Sequence, residues 1–209
     1  MVVEGVNGAG KSTIINNIVS YYKDMEVPHS LYKFPNRSGP TGEKIDKYLK
    51  GEIKIKSKYD VLDLFARDRA FVRDRIKQDL QEGKIVICDR YIFSAIAYHV
   101  PSNILDRNIV KKYCGIIGYF DKDMPMPDVA ILIKGDFLRD RGILSKEIFH
   151  YVDAKQRELH DTFRMVIEQY QTALLELRNR RGRQYFVAVD AITEIRRQYI
   201  KKERISCLE

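Results

Sequence analysis

The chain has 209 residues, enough for one domain with a sizeable core, and a formal net charge of +8, which calls for anionic partners: nucleotides, nucleic acid or a membrane surface. No apolar run reaches the ~20 residues of a bilayer span, and Met1-Val2-Val3-Glu4-Gly5 has neither the basic nor the apolar region of a signal peptide. Cys88, Cys114 and Cys207 are odd in number and form no CxxC pair, which argues against a disulfide framework or a zinc site and suits a soluble intracellular protein, cytoplasmic with the nucleus left open.

Short apolar strands alternate with longer helical patterns, as in a parallel sheet covered on both faces. Val2-Val3-Glu4 reads as the end of a first strand. Gly5-Val6-Asn7-Gly8-Ala9-Gly10-Lys11-Ser12 follows and matches G-x-x-x-x-G-K-[ST], ahead of a helix expected from about Ser12 to Lys23. Its glycines let the backbone N–H groups converge on phosphates, and the helix adds its positive end. Asn7, Gly8, Ala9, Gly10, Lys11, Ser12 and Thr13 are therefore candidate ATP contacts, with Lys11 reaching the β- and γ-phosphates and Ser12 binding Mg²⁺. The motif names a nucleoside triphosphate and leaves the reaction open.

Ser30 to Phe34 suits a second strand, and Pro35-Asn36-Arg37-Ser38-Gly39-Pro40 continues as a loop. A short helix from Thr41 to Leu49 precedes a long one from about Tyr59 to Glu82, closed by Gly83. On that helix Leu62, Phe65, Val72, Ile76 and Leu80 recur at helical steps, and Arg69 fills the missing place in the stripe. An arginine there needs a partner. Phe65 and Arg69 share a face and could offer a stacking ring and a carbonyl donor to a base; an internal ion pair with a nearby acid fits the spacing equally.

Ile85 to Cys88 is a third, fully apolar strand ending in Asp89-Arg90-Tyr91. Ligands of open α/β sheets sit at the carboxyl ends of the strands, so Asp89 can face the cradle and hold Mg²⁺ while Arg90 reaches phosphate oxygens. Phe93 to His99 begins another helical stretch, and Val129 to Ile133 is a fourth strand. Asp136 to His150 is charged, broken by Gly142 and short of apolar periodicity, which makes it a candidate mobile lid. A long helix is expected from about Asp153 to Arg181, its end marked by Arg178, Arg180, Arg181 and Arg183, then a fifth strand at Tyr185 to Val189 and a last helix. No repeat or linker divides the chain, so residues 1–209 read as a single domain. His29, His99 and His160 have no constellation around them; His150 falls in the expected lid.

In this order, the cradle, Phe34-Pro35-Asn36-Arg37-Ser38, Leu64-Phe65 with Arg69, Asp89-Arg90-Tyr91 with Phe93-Ser94 and Tyr98, and Pro125-Met126-Pro127-Asp128 resemble the thymidylate kinases, in particular their eukaryotic and large-DNA-virus branch. The resemblance implies a three-layer α/β/α P-loop fold with a five-stranded parallel sheet, a homodimer, ATP with Mg²⁺ as donor and dTMP as acceptor. It implies stacking of thymine on Phe65, a ring-carbonyl contact from Arg69, an acceptor phosphate held by Arg37 and Arg90, a wall of Ser94 and Tyr98 that crowds out a ribose 2′-OH, and closure by Phe34. It implies Arg141 as the lid arginine, sharing catalysis with Lys11, Asp89 and Arg90. Asn7 stands where the family usually carries a carboxylate facing the sugar 3′-OH, so Asn7 counts among the acceptor contacts without its charge. The lid reads Glu147-Ile148-Phe149-His150 where Tyr-Glu is common, and relatives usually carry several more apolar residues before Glu4, so a shortened first strand is expected. A deoxynucleoside kinase would carry a serine after the acid-arginine step in place of Tyr91, and a nucleic-acid-stimulated ATPase or switch would show Asp-Glu after an apolar strand or Asn-Lys-x-Asp; neither is present. With no RNA-recognition signature or interleaved basic and aromatic run either, no nucleic-acid and no membrane partner is expected.

Overall fold

A computed structural model describes residues 1–101, 106–135, 146–180 and 183–206, with only the backbone path described for 146–153 and 198–206. The elements run β1 (Val2–Gly5), α1 (Lys11–Asp24), β2 (His29–Lys33), α2 (Gly42–Leu49), α3 (Lys58–Ala70), α4 (Arg73–Gln81), β3 (Ile85–Asp89), α5 (Ile92–Ala97), α6 (Arg107–Phe120), β4 (Val129–Gly135), α7 (Lys146–Gln169), β5 (Ala173–Asn179) and α8 (Gln184–Ser206). The strands form one parallel sheet in the order β2-β3-β1-β4-β5.

Alternation along the strands sorts side chains to two apolar layers. Val2, Cys88, Ala130 and Leu132 face one layer with Phe93, Ile96, Phe163 and Val166; Val3, Ile87, Ile131 and Ile133 face the other, against α1 and α8. Burial on both faces is why these strands read as continuous apolar runs.

Three expected boundaries are corrected. The long helix over 59–82 is two helices, parted at Phe71 and Val72, where the Val72 N–H turns back to Arg69 O at 3.2 Å. The bend lets α4 lie on β3 while α3 packs on α5 and α6. The helix expected to run from Asp153 to Arg181 begins at Lys146 and ends at Gln169, and Ala173–Asn179 is the fifth strand, paired with β4 from Val129↔Ala173 to Gly135↔Asn179. Tyr185 to Val189, expected as that strand, belongs to α8, whose Val187, Ala188, Ala191 and Ile192 are buried at helical spacing. Arg178 and Arg180 thus sit at the carboxyl end of a strand and not at a helix end. The helix α6, capped by Asp106 whose carboxylate accepts from Asn108 N at 2.7 Å, had no sequence expectation at all. Of the expected lid, residues 136–145, and with them Arg141, lie outside the described residues.

Candidate active site

The phosphate cradle leaves β1 at the centre of the sheet. Gly5 has φ +141°, and a Cβ there would lie 2.4 Å from Ile133 O, so no other residue fits; Gly10, at φ +83°, caps α1. Lys11 is buried and donates to Gly5 O at 2.9 Å and Val6 O at 2.8 Å, lying inside the loop its ammonium would leave for phosphate oxygens. Burial, then the nearby Arg90 guanidinium, depress its pKa to about 8. Ser12 and Thr13 are exposed on the first turn. From the end of β5, the buried Asn179 donates Nδ2–H to Ala9 O at 2.9 Å, tying the cradle to the far strand.

Asp89 ends β3 in register with Val3 on one side and Lys33 on the other, with Lys33 Nζ 3.7 Å from its carboxylate. Arg90 follows in a left-handed conformation, φ +67°, which costs of order 1 kcal/mol for a side chain bearing a Cβ. The turn is held by Glu4. Its carboxylate, wholly buried, accepts from Tyr91 N at 2.8 Å, Ser94 N at 3.2 Å and Ser94 Oγ at 2.6 Å, satisfying donors at the start of α5. Burial raises the Glu4 pKa to about 7, against the pull of Arg90, the hydrogen bonds and Lys11. The Arg90 guanidinium then donates to Gly5 O and Ser94 Oγ, both at 3.1 Å, and to Asn7 Oδ1 at 2.6 Å, and lies over the Tyr98 ring at 5.5 Å.

Asn7, Lys11, Asp89, Arg90, Ser94 and Tyr98 are therefore brought together at the carboxyl ends of β1 and β3. Phe34 joins them through its N–H to Asp89 O at 2.9 Å and its ring against Tyr91 at 5.7 Å. Arg37 is not drawn in: its guanidinium is bonded to Asp46 on α2. Phe65 lies between the rings of Tyr48 at 6.4 Å and His99 at 6.5 Å, and His99 is the residue after Tyr98. Arg69 is committed to the ion-pair alternative: Nε and Nη2 make a bidentate, buried pair with Asp121 at 2.8 and 2.6 Å.

Five contributors lay outside the sequence expectations. Glu4 was visible as a carboxylate in an apolar strand, yet its partners are almost ninety residues away. Asp68 accepts from Asn36 N at 2.8 Å and Thr41 Oγ1 at 3.0 Å and so shapes the loop after β2. Asp121, His99 and Asn179 carried no local signal.

Known proteins converge on the same reading. The thymidylate kinase family model matches residues 3–191. A thymidylate kinase of Plasmodium falciparum is 32% identical over 166 residues, 78% of this chain and 75% of that one. A putative thymidylate kinase of Invertebrate iridescent virus 6 is 31% identical over 159 residues, 75% and 70%. Among solved structures, the thymidylate kinase of Ehrlichia chaffeensis covers 93% of this chain and 96% of its own at TM-score 0.65 and 21% identity, which speaks for the fold. A match that runs from β1 into α8 takes in the cradle, the Asp-Arg turn and the ring-lined wall together, and the chain belongs to the thymidylate kinase family of ATP-dependent nucleoside monophosphate kinases.

Proposed function

We propose that the protein transfers the γ-phosphoryl group of ATP to dTMP, giving ADP and dTDP. The observation that carries this is the grouping at the carboxyl ends of β1 and β3: Lys11 and Arg90 share the Gly5 carbonyl, Arg90 meets Ser94 and Tyr98 of α5, and His99, next after Tyr98, packs on Phe65. A donor triphosphate occupies the cradle end. A nucleoside monophosphate lies along the wall with its phosphate at Arg90 and its base at Phe65. Attack on the γ-phosphorus forms one P–O bond and breaks the bond to ADP, and the acceptor phosphate is largely dianionic at neutral pH, so no general base is needed. What the protein supplies is position and charge. Lys11 leaves the Gly5 and Val6 carbonyls for phosphate oxygens, and Arg90 exchanges Asn7 and Ser94 for the acceptor phosphate. Arg37 can add a second fork once released from Asp46. Tyr98 narrows the sugar position against a 2′-OH.

The donor set fits Mg²⁺: a hydroxyl at Ser12 and a carboxylate at Asp89, on neighbouring segments, are hard oxygen ligands of the number this ion takes when phosphates and water complete its shell. Bound there, it neutralises charge on the transferring group. Arg141 would add its guanidinium to that charge, and two copies of the chain would form the homodimer.

The test is ATP turnover with Mg²⁺ against a panel of dTMP, dUMP, dGMP, thymidine and DNA. Turnover that requires dTMP supports the reading; turnover driven by thymidine or DNA refutes it. Arg141→Ala is expected to lower kcat by orders of magnitude, as charge-stabilising arginines are worth ~10³–10⁵ elsewhere, with the dTMP KM little changed and Arg139→Ala costing much less. Equal losses in the two variants would reduce the segment to a basic screen.

A further inference from the structure

His99 follows the C-cap of α5 and is half-buried with its ring edge-on to Phe65. Its Nδ1 lies 2.6 Å from Ala95 O. A carbonyl can only accept, so Nδ1 carries the proton and donates. Burial lowers the His99 pKa, and the positive charges of Arg69 and Lys58 on α3 push the same way, opposed by the Ala95 bond; Tyr48, the other ring beside Phe65, brings no charge. The neutral ring therefore holds one tautomer with Nε2 bare, and among the described residues no donor meets it. A fixed acceptor beside the stacking ring is a means of recognition and not only of packing.

We propose that His99 is a specificity-determining residue that reads the acceptor base through Nε2, taking the ring N–H that thymine and uracil present between their two carbonyls. Cytosine offers a lone pair at that position, so two acceptors would face each other and the base would be rejected. The assignment rests on the reading of Phe65 as the base platform and of dTMP as acceptor. It is independent of Arg69, whose guanidinium is occupied by Asp121.

The experiment compares kcat/KM for dTMP and dCMP, with ATP and Mg²⁺, in the wild type, His99→Phe and His99→Gln. His99→Phe keeps a ring against Phe65 and removes the acceptor; it should lower kcat/KM for dTMP on the order of tenfold, the scale of one neutral hydrogen bond and the desolvation of its donor, mostly through KM, and leave dCMP unchanged or improved. His99→Gln restores an acceptor and should recover part of the dTMP value. Equal losses for dTMP and dCMP, or none, would make His99 a packing residue and overturn the assignment. A second arm needs no variant. Protonation turns Nε2 from acceptor to donor, so the wild-type dTMP-to-dCMP preference should fall as pH drops from 8 through His99's depressed range, the titration of the phosphate being common to both substrates. A fall of the same size in His99→Gln, whose side chain cannot titrate, would equally overturn it. If the wild type fails to use dTMP at all, it is the acceptor reading that falls, and the two failures are told apart.

Discussion

Glu4 accepts three hydrogen bonds that fix the turn on which Arg90 stands, yet as a carboxylate wholly out of water it resists ionisation up to about pH 7. In the unfolded chain it ionises near its ordinary 4.5. Between those values the folded state holds the extra proton, so the stability it confers is complete below about pH 4.5 and is lost as pH rises through 7. Glu4→Gln keeps an acceptor oxygen for the two backbone N–H groups and cannot ionise. Its stability relative to the wild type should therefore climb between pH 4.5 and 7, by at most about 3 kcal/mol, then level off. Paired denaturant titrations at pH 4.5, 6 and 8 would read this; a difference that stays flat or shrinks would mean that Glu4 is ionised throughout. The same variant should lose turnover relative to the wild type above about pH 7 and little below it, because only the ionised carboxylate draws the Arg90 guanidinium towards the cradle.

Between elements, the ties are side chains that meet across long stretches of sequence. Arg69 on α3 and Asp121 at the C-cap of α6 are nearly solvent-free and joined by two bonds, so removing one partner strands the other's charge. Arg69→Met is expected to destabilise by about 3–5 kcal/mol, and adding Asp121→Leu should restore much of it. A double variant no better than the single would show that the pair acts through substrate or packing and not through mutual neutralisation. Asp68→Ala frees Asn36 N and Thr41 Oγ1, so it should loosen the loop carrying Arg37 and raise the KM for dTMP several-fold with that for ATP unchanged; a matched rise in both would deny Asp68 its part in the acceptor side. These ties explain what could be read beforehand. The cradle and β1, β3 and β4 were legible because apolar runs bounded by glycine or an acid have few other meanings; β2, which His29, Ser30 and Lys33 keep from being such a run, was legible from the Pro-, Asn- and Gly-bearing loop after it. Ala173-Leu174-Leu175-Glu176-Leu177 consists of good helix formers, and pairing with β4 overrode that preference once Gln171, at φ +53°, ended the helix before it. Tyr185 to Val189 has strand-like residues, but burial of Val187, Ala188, Ala191 and Ile192 against α1 requires a helix. In the site, Lys11, Asp89 and Arg90 were legible from chemistry at strand ends. Glu4, Asp121 and His99 were not, since each acts through a partner that only the folded chain supplies, and Arg69 stayed open until Asp121 was seen beside it.

Across the whole molecule, the carboxyl edge of the sheet is built for polyanions at some expense to the unliganded fold. Lys11, Lys33 and Arg90 gather there around Asp89, and Lys11 is held inside the cradle with its pKa depressed to about 8 by burial and by Arg90. The unfolded chain binds that proton up to its ordinary 10.5, so the cost of the buried ammonium is present in full below pH 8 and disappears above 10.5. Lys11→Met keeps most of the stem and removes the charge. It leaves neither carbonyl stranded, because Gly5 O still accepts from Arg90 and Val6 O from Ala9 N. Without nucleotide at pH 7 the variant should be more stable than the wild type, by up to about 3 kcal/mol or roughly 6–12 °C in Tm for a chain of this size, with the advantage fading towards pH 10.5. ATP with Mg²⁺ should reverse the order. The wild type gains stability as RT ln(1 + [L]/Kd) once phosphates replace the two carbonyls around Lys11, and the variant gains far less. Thermal melts of both proteins, with and without saturating ATP and Mg²⁺, carry the decision. A variant that melts lower than the wild type in the absence of nucleotide would mean that the Lys11 bonds to the loop outweigh its burial, and one that keeps the full ATP shift would remove Lys11 from the triphosphate site.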